Sequence, residues 1–309
     1  MKKILIYILV MFGLTTACDS DNDNDKHNYV SIEIPPNVKG SNLWIFLCYG
    51  QSNMEGQAPI EEQDKIVSDR FLSLSATDGE DGRKMGKWRK ALPPICRAEN
   101  HLGPIDYFGR TLLDVIPDSV YIGIVMVAVG GCPITYFDKD KNTAIIAKEE
   151  SASMIHILDQ YGRNPYGRLL NMAKIATMDG VIKGVLVHQG EKDAYNNEWR
   201  KEVRKIYRDL QQELLFDSTA VPLIVGEVVR LEYGGLFGHA NHFINDIVNH
   251  YPNTYVASSE NCLPANDNIH FNSEGYRILG RHYAIRYLEA TNPGLAAICR
   301  QRLNALGYK

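Results

Sequence analysis

The sequence predicts an α/β fold in which helices cover both faces of a central, mostly parallel, five-stranded sheet. Short apolar runs of strand length alternate along the chain with longer segments whose apolar residues recur at helical spacing. The short runs are almost continuously apolar, which is typical of parallel strands buried on both faces. With 309 residues, of which 45% are apolar, the chain is large enough to bury one substantial core.

Five apolar runs have the length of a strand and are bounded by glycine or polar residues. In chain order they are 44–48, 121–129, 181–187, 223–229 and 254–258. Helices are predicted over 107–115, 166–178, 198–215, 240–249 and 273–288. Asn272 is the expected cap of the last helix. The helix at 198–215 has an apolar stripe among charged residues, formed by Val203, Ile206, Tyr207, Leu210 and Leu214.

One folded domain is expected over residues 42–290, because no linker or repeat interrupts the alternation of strands and helices. Two long stretches, 73–103 and 135–163, show neither pattern, and we expect them to be irregular and to shape a binding cleft. Residues 291–309 are predicted to be a C-terminal extension.

The N-terminus has the pattern of a targeting segment. Lys2 and Lys3 precede an apolar stretch and a small-residue site before Cys18. This pattern resembles a bacterial lipoprotein signal, which implies removal of residues 1–17 and a lipid anchor on Cys18. An ordinary secretory signal is the alternative. With 18–41 as a flexible acidic tether, the sequence predicts an exported lipoprotein in the periplasm or on the outer-membrane surface.

Composition argues against several other classes of protein. The formal net charge is −4, so no nucleic-acid partner is expected. The N-terminal apolar stretch is too short for a transmembrane helix, and no later stretch reaches that length. The five cysteines after Cys18 show no CxxC spacing, which argues against a metal ribbon, and their odd number leaves at least one thiol free.

Polar motifs follow the carboxyl ends of four predicted strands, and open α/β sheets place their chemistry at that edge. The motifs are Gly50-Gln51-Ser52-Asn53-Met54, Gly130-Gly131-Cys132, His188-Gln189-Gly190-Glu191 and Asp267-x-x-His270. Each motif alone is common in turns and helix caps. Their occurrence at strand ends along the chain indicates one shared site.

The residue types in these motifs match the requirements of acyl transfer, which needs a nucleophile, a base, a group that orients the base, and oxyanion donors. Ser52 is the candidate nucleophile, His270 the base, and Asp267 the residue that orients it. No metal or organic cofactor is needed for this chemistry.

Backbone and amide N–H groups of the same motifs are the candidate oxyanion donors. They are the N–H of Ser52, the N–H of Gly131 or Gly130, and the side-chain amide of Gln189. The candidate substrate contacts are Gln51, Asn53 and His188.

Together the four motifs resemble those of the sialate O-acetylesterase-like branch of the SGNH hydrolases, which includes carbohydrate esterase family 6. The resemblance spans about residues 42–290 and implies a three-layer α/β/α sandwich that removes O-acetyl groups from sugars such as acetylated xylan or sialic acid. It implies the same nucleophile, base and oxyanion donors. The third triad member stays open between Asp267 and Glu191, because some relatives use the glutamate. Cys132 replaces a threonine that is common in these relatives.

Other functions also remain open from the sequence. A non-catalytic glycan-binding lipoprotein would be expected to lack Ser52 or His270, and both are present. Lipid or peptidoglycan esters are another possible substrate class. A metal hydrolase would use His188, Glu191, Asp193 and His270, none of which has zincin spacing. Candidate aromatic residues for sugar stacking are Trp88, Tyr136, Phe137, Tyr195 and Trp199.

Overall fold

A central sheet forms the middle layer of the computed structural model, which describes residues 29–308. The strands in this part of the chain are β1 (Gly40–Gly50), β2 (Phe71–Leu74), β3 (Trp88–Lys90), β4 (Tyr121–Ala128), β5 (Gly180–His188), β6 (Leu223–Gly226) and β7 (Thr254–Ala257). Their order across the sheet is β3-β2-β4-β1-β5-β6-β7, and only β2 and β3 pair antiparallel. The predicted α/β fold with a mostly parallel sheet is confirmed.

Helices cover both faces of this sheet. They are α1 (Ser52–Glu55), α2 (Pro104–Leu113), α3 (Asn142–Ile146), α4 (Ala152–Gln160), α5 (Pro165–Ala176), α6 (Trp199–Leu214), α7 (Asn241–Asp246), α8 (Ser273–Thr291) and α9 (Pro293–Ala305). One core contains Phe108 of α2 and Leu279 of α8, and the other contains Leu169 of α5 and Ile206 of α6. Burial of apolar side chains on both faces of the sheet stabilises the three-layer sandwich.

The register of the three central strands brings the sequence motifs to one edge. Gly50 at the end of β1 pairs with Ala128 of β4 on one side and with His188 of β5 on the other. The segments that begin at residues 51, 129 and 189 therefore leave the sheet side by side. Gly50 is required there, because a Cβ at this position would lie 2.0 Å from the carbonyl oxygen of His188.

The predicted number of five strands is wrong, because β2 and β3 lie in or beside the stretch predicted to be irregular. Both strands are short, and β3 has the sequence Trp-Arg-Lys, which lacks the apolar pattern of a buried strand. Arg89 is nevertheless buried, since its guanidinium donates to the carbonyls of Leu92 at 3.1 Å and Ile95 at 2.8 Å. Such pairing depends on the following loop and is not visible in the strand sequence itself.

Three further segments differ from the prediction. The helix expected over 240–249 is only partly α-helical, because α7 is flanked by 3₁₀ turns at Gly238–Ala240 and Ile247–Asn249. The second stretch predicted to be irregular contains α3 and α4. The predicted C-terminal extension contains α9, which buries Ala296, Cys299 and Leu303 in the same core.

The signal segment 1–17, the lipidation site Cys18 and the tether as far as residue 28 lie outside the described residues. From residue 29 the chain is not a tether. Tyr29 is buried and donates from its hydroxyl to the carbonyl of Leu92 at 2.8 Å, while Ile32 forms a β-bridge with Trp88 at the sheet edge. Within residues 29–308, no helix combines the length and the apolar character needed to span a membrane.

Candidate active site

Ser52, His270 and Asp267 meet at the carboxyl edge of the sheet. Ser52 is the first residue of α1, two positions after the end of β1, and the other two lie in the loop between β7 and α8. The Ser52 hydroxyl Oγ lies 2.8 Å from His270 Nε2, and His270 Nδ1 lies 2.6 Å from Asp267 Oδ2. With Nδ1 donating to the carboxylate, Nε2 is free to accept the hydroxyl proton. This geometry is that of a nucleophile, a base and a group that orients the base.

Backbone donors hold the Asp267 carboxylate in place. Its Oδ1 accepts hydrogen bonds from the N–H groups of Ile269 and His270, both at 2.9 Å. Partial burial raises the pKa of Asp267, but these backbone donors and the His270 imidazole outweigh that effect and keep the pKa below its usual value. The carboxylate is therefore ionised and its second oxygen is directed at the imidazole.

The two glycines after β4 differ in the hydrogen bonding of their N–H groups. Gly130 N–H donates to Glu55 Oε1 at 2.6 Å, so it is already engaged. Gly131 is exposed with φ +71°, and no acceptor for its N–H lies among the described residues. Ser52 N–H, at the first position of a helix, also has no acceptor within the helix. Of the two candidate glycines, Gly131 is therefore the one whose backbone N–H is free to donate to an oxyanion.

The Gln189 amide is engaged inside the protein. Gln189 is fully buried, and its Nε2 lies 3.1 Å from Gln51 Oε1, 3.3 Å from the Cys132 carbonyl and 2.5 Å from Asp193 Oδ2. Trp199 Nε1 donates to its Oε1. An amide nitrogen has two protons, and three acceptors surround this one. In this structure Gln189 joins loops and the start of α6, and it does not offer the free oxyanion donor expected from the sequence.

Asn53 and Glu191 form a buried network below the reactive groups. Asn53 Nδ2 donates to Glu191 Oε1 and, at 3.0 Å, to the carbonyl of Ile269, while Tyr276 donates to Asn53 Oδ1 at 2.6 Å. Burial raises the pKa of Glu191. Within residues 29–308, Glu191 makes no hydrogen bond to His270, so the geometry favours Asp267 as the residue that orients the imidazole.

The three candidate substrate contacts are all buried. Gln51 is 3% exposed, and Asn53 and His188 are fully buried. Gln51 Oε1 accepts from the Gln189 amide at 3.1 Å and from the Lys192 N–H at 3.3 Å. The prediction that these side chains contact substrate is not supported, because neighbouring protein groups surround them.

The family described as "carbohydrate esterase, sialic acid-specific acetylesterase" matches residues 42–289. The chain belongs to this family. The resemblance drawn from the four motifs is therefore confirmed, and the protein is a carbohydrate esterase.

Two solved structures support the fold of this esterase. One is a protein from Arabidopsis thaliana, with 21% identity and a TM-score of 0.58 over 81% of this chain and 98% of that one. The other is NanS, with 17% identity and a TM-score of 0.56 over 85% of this chain and 99% of that one. At these identities the similarity shows the common fold alone.

A buried ion pair beside the glycine turn was not predicted from the sequence. Glu55, the last residue of α1, accepts from Arg97 Nη1 at 2.8 Å through the same oxygen that holds Gly130 N–H. Arg97 Nη1 also donates to the carbonyl of Ala128 at the end of β4, at 2.7 Å. The side chains of Glu55 and Arg97 are only 3% and 2% exposed. The pair thus links the serine helix to the turn that presents Gly131.

The acidic side chains that lie close enough together to share a cation are not those of the candidate active site. Among residues 29–308, one such group was found, formed by Asp138, Asp140 and Asp209. Lys205 Nζ lies among them at 2.7, 2.6 and 2.8 Å, so a protein ammonium group already neutralises part of their charge. The metal-hydrolase hypothesis is not supported, because within residues 29–308 its four candidate ligands do not form such a group. These are His188, Glu191, Asp193 and His270.

The cysteines and most candidate sugar-stacking residues are buried. The five cysteines of the described residues are free thiols. Burial raises the pKa of the Cys132 thiol well above its usual value, so Cys132 is a packing residue beside the glycine turn. Four candidate aromatic residues are also buried, namely Trp88, Tyr136, Phe137 and Trp199. Tyr195 is the exposed one.

His188 should make the stability of the protein sensitive to acid. Complete burial lowers its pKa to about 3, against about 6.5 in an unfolded chain. Between these values the unfolded state binds more protons, so stability present above about pH 6.5 is lost as the pH falls, by up to about 1.4 kcal/mol per pH unit. We expect the free energy of unfolding of His188→Gln, measured in urea from pH 7.5 to 4.5, to fall less steeply than that of the wild type.

The exposed His156 provides the matched control, since His156→Gln makes the same substitution at an imidazole that is not buried. Parallel curves for His188→Gln and wild type would show that the buried imidazole does not carry this proton linkage.

Proposed function

We propose that the protein hydrolyses acetyl esters on sugars through an acyl-enzyme formed on Ser52. The proposal depends on one observation above all: Ser52 Oγ lies 2.8 Å from His270 Nε2, whose ring is held from the other side by Asp267 at 2.6 Å. Membership of a carbohydrate esterase family supports acetyl esters as the bond that is cleaved.

The first half of the proposed reaction forms the acetyl-enzyme. Ser52 Oγ attacks the acetyl carbonyl carbon while its proton moves to His270 Nε2. The carbonyl oxygen becomes negative and accepts from the N–H groups of Ser52 and Gly131. When the tetrahedral intermediate collapses, His270 gives the proton to the departing sugar oxygen, and Asp267 stabilises the charged imidazole in between.

The second half clears the enzyme. A water molecule gives a proton to His270 Nε2 and attacks the acetyl carbon, which forms a second oxyanion in the same place. Collapse of this intermediate breaks the bond to Ser52 Oγ, returns the proton to that oxygen and releases acetic acid. Ser52 and His270 are the protein groups that exchange protons, and the departing sugar oxygen and the attacking water are their partners.

The substrate is tested by acetate release. The purified protein is incubated with p-nitrophenyl acetate, acetylated xylo-oligosaccharides and O-acetylated sialyl-oligosaccharides, and acetate is measured enzymatically. We expect release from the aryl ester and from at least one glycan. Glycan binding without any acetate release would instead support a non-catalytic glycan-binding protein.

Substitutions of Asp267 and Glu191 test which of the two carboxylates is the third member of the triad. Asp267→Asn is expected to lower kcat on p-nitrophenyl acetate by up to about 10⁴-fold, because an amide cannot stabilise the imidazolium and favours the wrong tautomer. Glu191→Gln keeps an oxygen that can accept from Asn53, so its kcat should change little. Steady-state kinetics of the two variants decide between them, and a larger loss in Glu191→Gln would reassign the role.

A further inference from the structure

Tyr195 is an aromatic side chain exposed to solvent on the segment that joins β5 to α6, four residues after Glu191. It is 85% exposed, and it is the one aromatic residue among the large apolar side chains that are exposed within residues 29–308. The ring of His239 lies against it, with centroids 4.6 Å apart and an angle of 34° between the planes. Because His239 covers part of one face, the other face of the Tyr195 ring is available to a ligand.

The turn that carries Tyr195 is fixed by hydrogen bonds. Asn196 N–H donates to the carbonyl of Asp193 at 2.7 Å, and Asn196 Nδ2 donates to Asp193 Oδ1 at 3.0 Å. The other oxygen of Asp193 accepts from Ile134 N–H at 2.7 Å and from the buried Gln189 amide. The exposed ring is therefore mounted on a turn that is anchored to the loops of the candidate site.

His239 connects the ring to the other side of the site. The loop that leads to His239 is tied to the triad loop, since Leu236 N–H donates to the carbonyl of Asn268 at 3.0 Å. Asn268 directly follows Asp267 in the sequence. Tyr195 and His239 thus belong to the segments that follow β5 and β6, strands that lie between β4, which leads to the glycine turn, and β7, which leads to the His270 loop.

We propose that the open face of Tyr195, supported by His239, stacks against a sugar ring of the glycan substrate, beyond the unit that carries the acetyl group. This inference rests on the proposed esterase function and names where the rest of the glycan binds. An aromatic face is electron-rich and attracts the polarised C–H groups on one face of a pyranose. The exposed residues Lys192, Asn197 and Glu198 beside it are polar, which suits the hydroxyl groups of a sugar better than an apolar protein surface.

The test compares Tyr195→Ala and Tyr195→Phe on two substrates. One is the acetylated xylo- or sialyl-oligosaccharide from which the wild type releases acetate fastest, and the other is ethyl acetate, which has no ring to stack. Tyr195→Ala should raise KM for the glycan roughly 3- to 10-fold with little change in kcat. The same variant should leave ethyl acetate hydrolysis unchanged, and Tyr195→Phe should restore the glycan KM because it keeps the ring.

Met178→Ala is the matched control, since it removes an exposed apolar side chain just before β5, at the opposite edge of the sheet. An unchanged glycan KM in Tyr195→Ala, with both substrates still hydrolysed, would overturn the stacking proposal and leave the esterase function standing. Loss of ethyl acetate hydrolysis in Tyr195→Ala would also overturn it, because the residue would then act at the reacting centre. A wild-type protein that hydrolyses neither substrate would contradict the proposed function itself.

Discussion

Replacing Ser52 or His270 by alanine is expected to lower kcat on p-nitrophenyl acetate by roughly 10⁴- to 10⁶-fold, because each removes one half of the proton-transfer pair. The Ser52 hydroxyl makes its hydrogen bond to the imidazole, and His270 is partly exposed, so neither change opens a core cavity. Initial rates measure the loss, and thermal unfolding followed by circular dichroism should show that both variants remain folded.

The double variant gives a sharper test of the same idea. If Ser52 and His270 act as one unit, removing both should cost about as much as removing either. Ser273→Ala and His250→Ala are matched controls, since Ser273 is half-buried and His250 is exposed, and their hydrogen bonds go to Pro59 and Asp246. A Ser52→Ala variant with more than about a tenth of wild-type kcat would show that another group is the nucleophile.

The parts of the fold that the sequence predicts are those formed by continuous apolar runs. The strands β1, β4 and β5 are buried over most of their length, so their sequences show the pattern directly. The strand β3 does not, because Arg89 is buried by hydrogen bonds to carbonyls of the following loop. The turn at Tyr195 is likewise fixed by side-chain contacts that no local pattern records.

The candidate site also has a part that the sequence predicts and a part that it does not. The predicted triad residues come together because motifs at the ends of adjacent parallel strands must meet at one edge, and β7 delivers its loop to that edge as well. Sequence motifs did not distinguish groups that face the cleft from groups that support it. Gln189 and Asn53 belong to the motifs, yet the structure buries both in hydrogen-bonded networks.

Glu55 and Arg97 show what was missed and which signal was available. Glu55 directly follows the serine motif, and Arg97 lies in a long stretch with no recognisable pattern. Two charged residues 42 positions apart have no spacing rule that would pair them. The available hint was a glutamate directly after the serine motif at the predicted sheet edge, because a carboxylate that becomes buried there requires a partner.

Arg97→Met is expected to lower kcat about 10²-fold, in addition to destabilising the fold. Loss of the guanidinium leaves the Glu55 carboxylate buried without its counter-charge, which costs roughly 3–5 kcal/mol of stability for a pair of this kind. The unpaired negative charge lies against Gly130 N–H, one residue from the Gly131 N–H that we assign to the oxyanion. It would repel the developing negative oxygen, so the loss should appear in kcat more than in KM.

Removing the charge of Glu55 should reverse part of this effect. In the double variant Glu55→Gln/Arg97→Met, the amide oxygen can still accept from Gly130 N–H, but no buried charge is left unpaired. We therefore expect both thermal stability and kcat to rise above those of Arg97→Met alone.

Arg83→Met is the matched control. Arg83 is also buried and is paired with the carboxylate of Asp81 at 2.6 Å, but it lies in a segment outside the site motifs. If Arg83→Met lowered kcat as much as Arg97→Met in folded protein, or if the double variant recovered nothing, the electrostatic role of the Glu55–Arg97 pair would be refuted. A loss of kcat in Arg97→Met that Arg83→Met does not share, with recovery in the double variant, would mean that the charge balance behind the glycine turn, and not only its backbone geometry, contributes to ester hydrolysis.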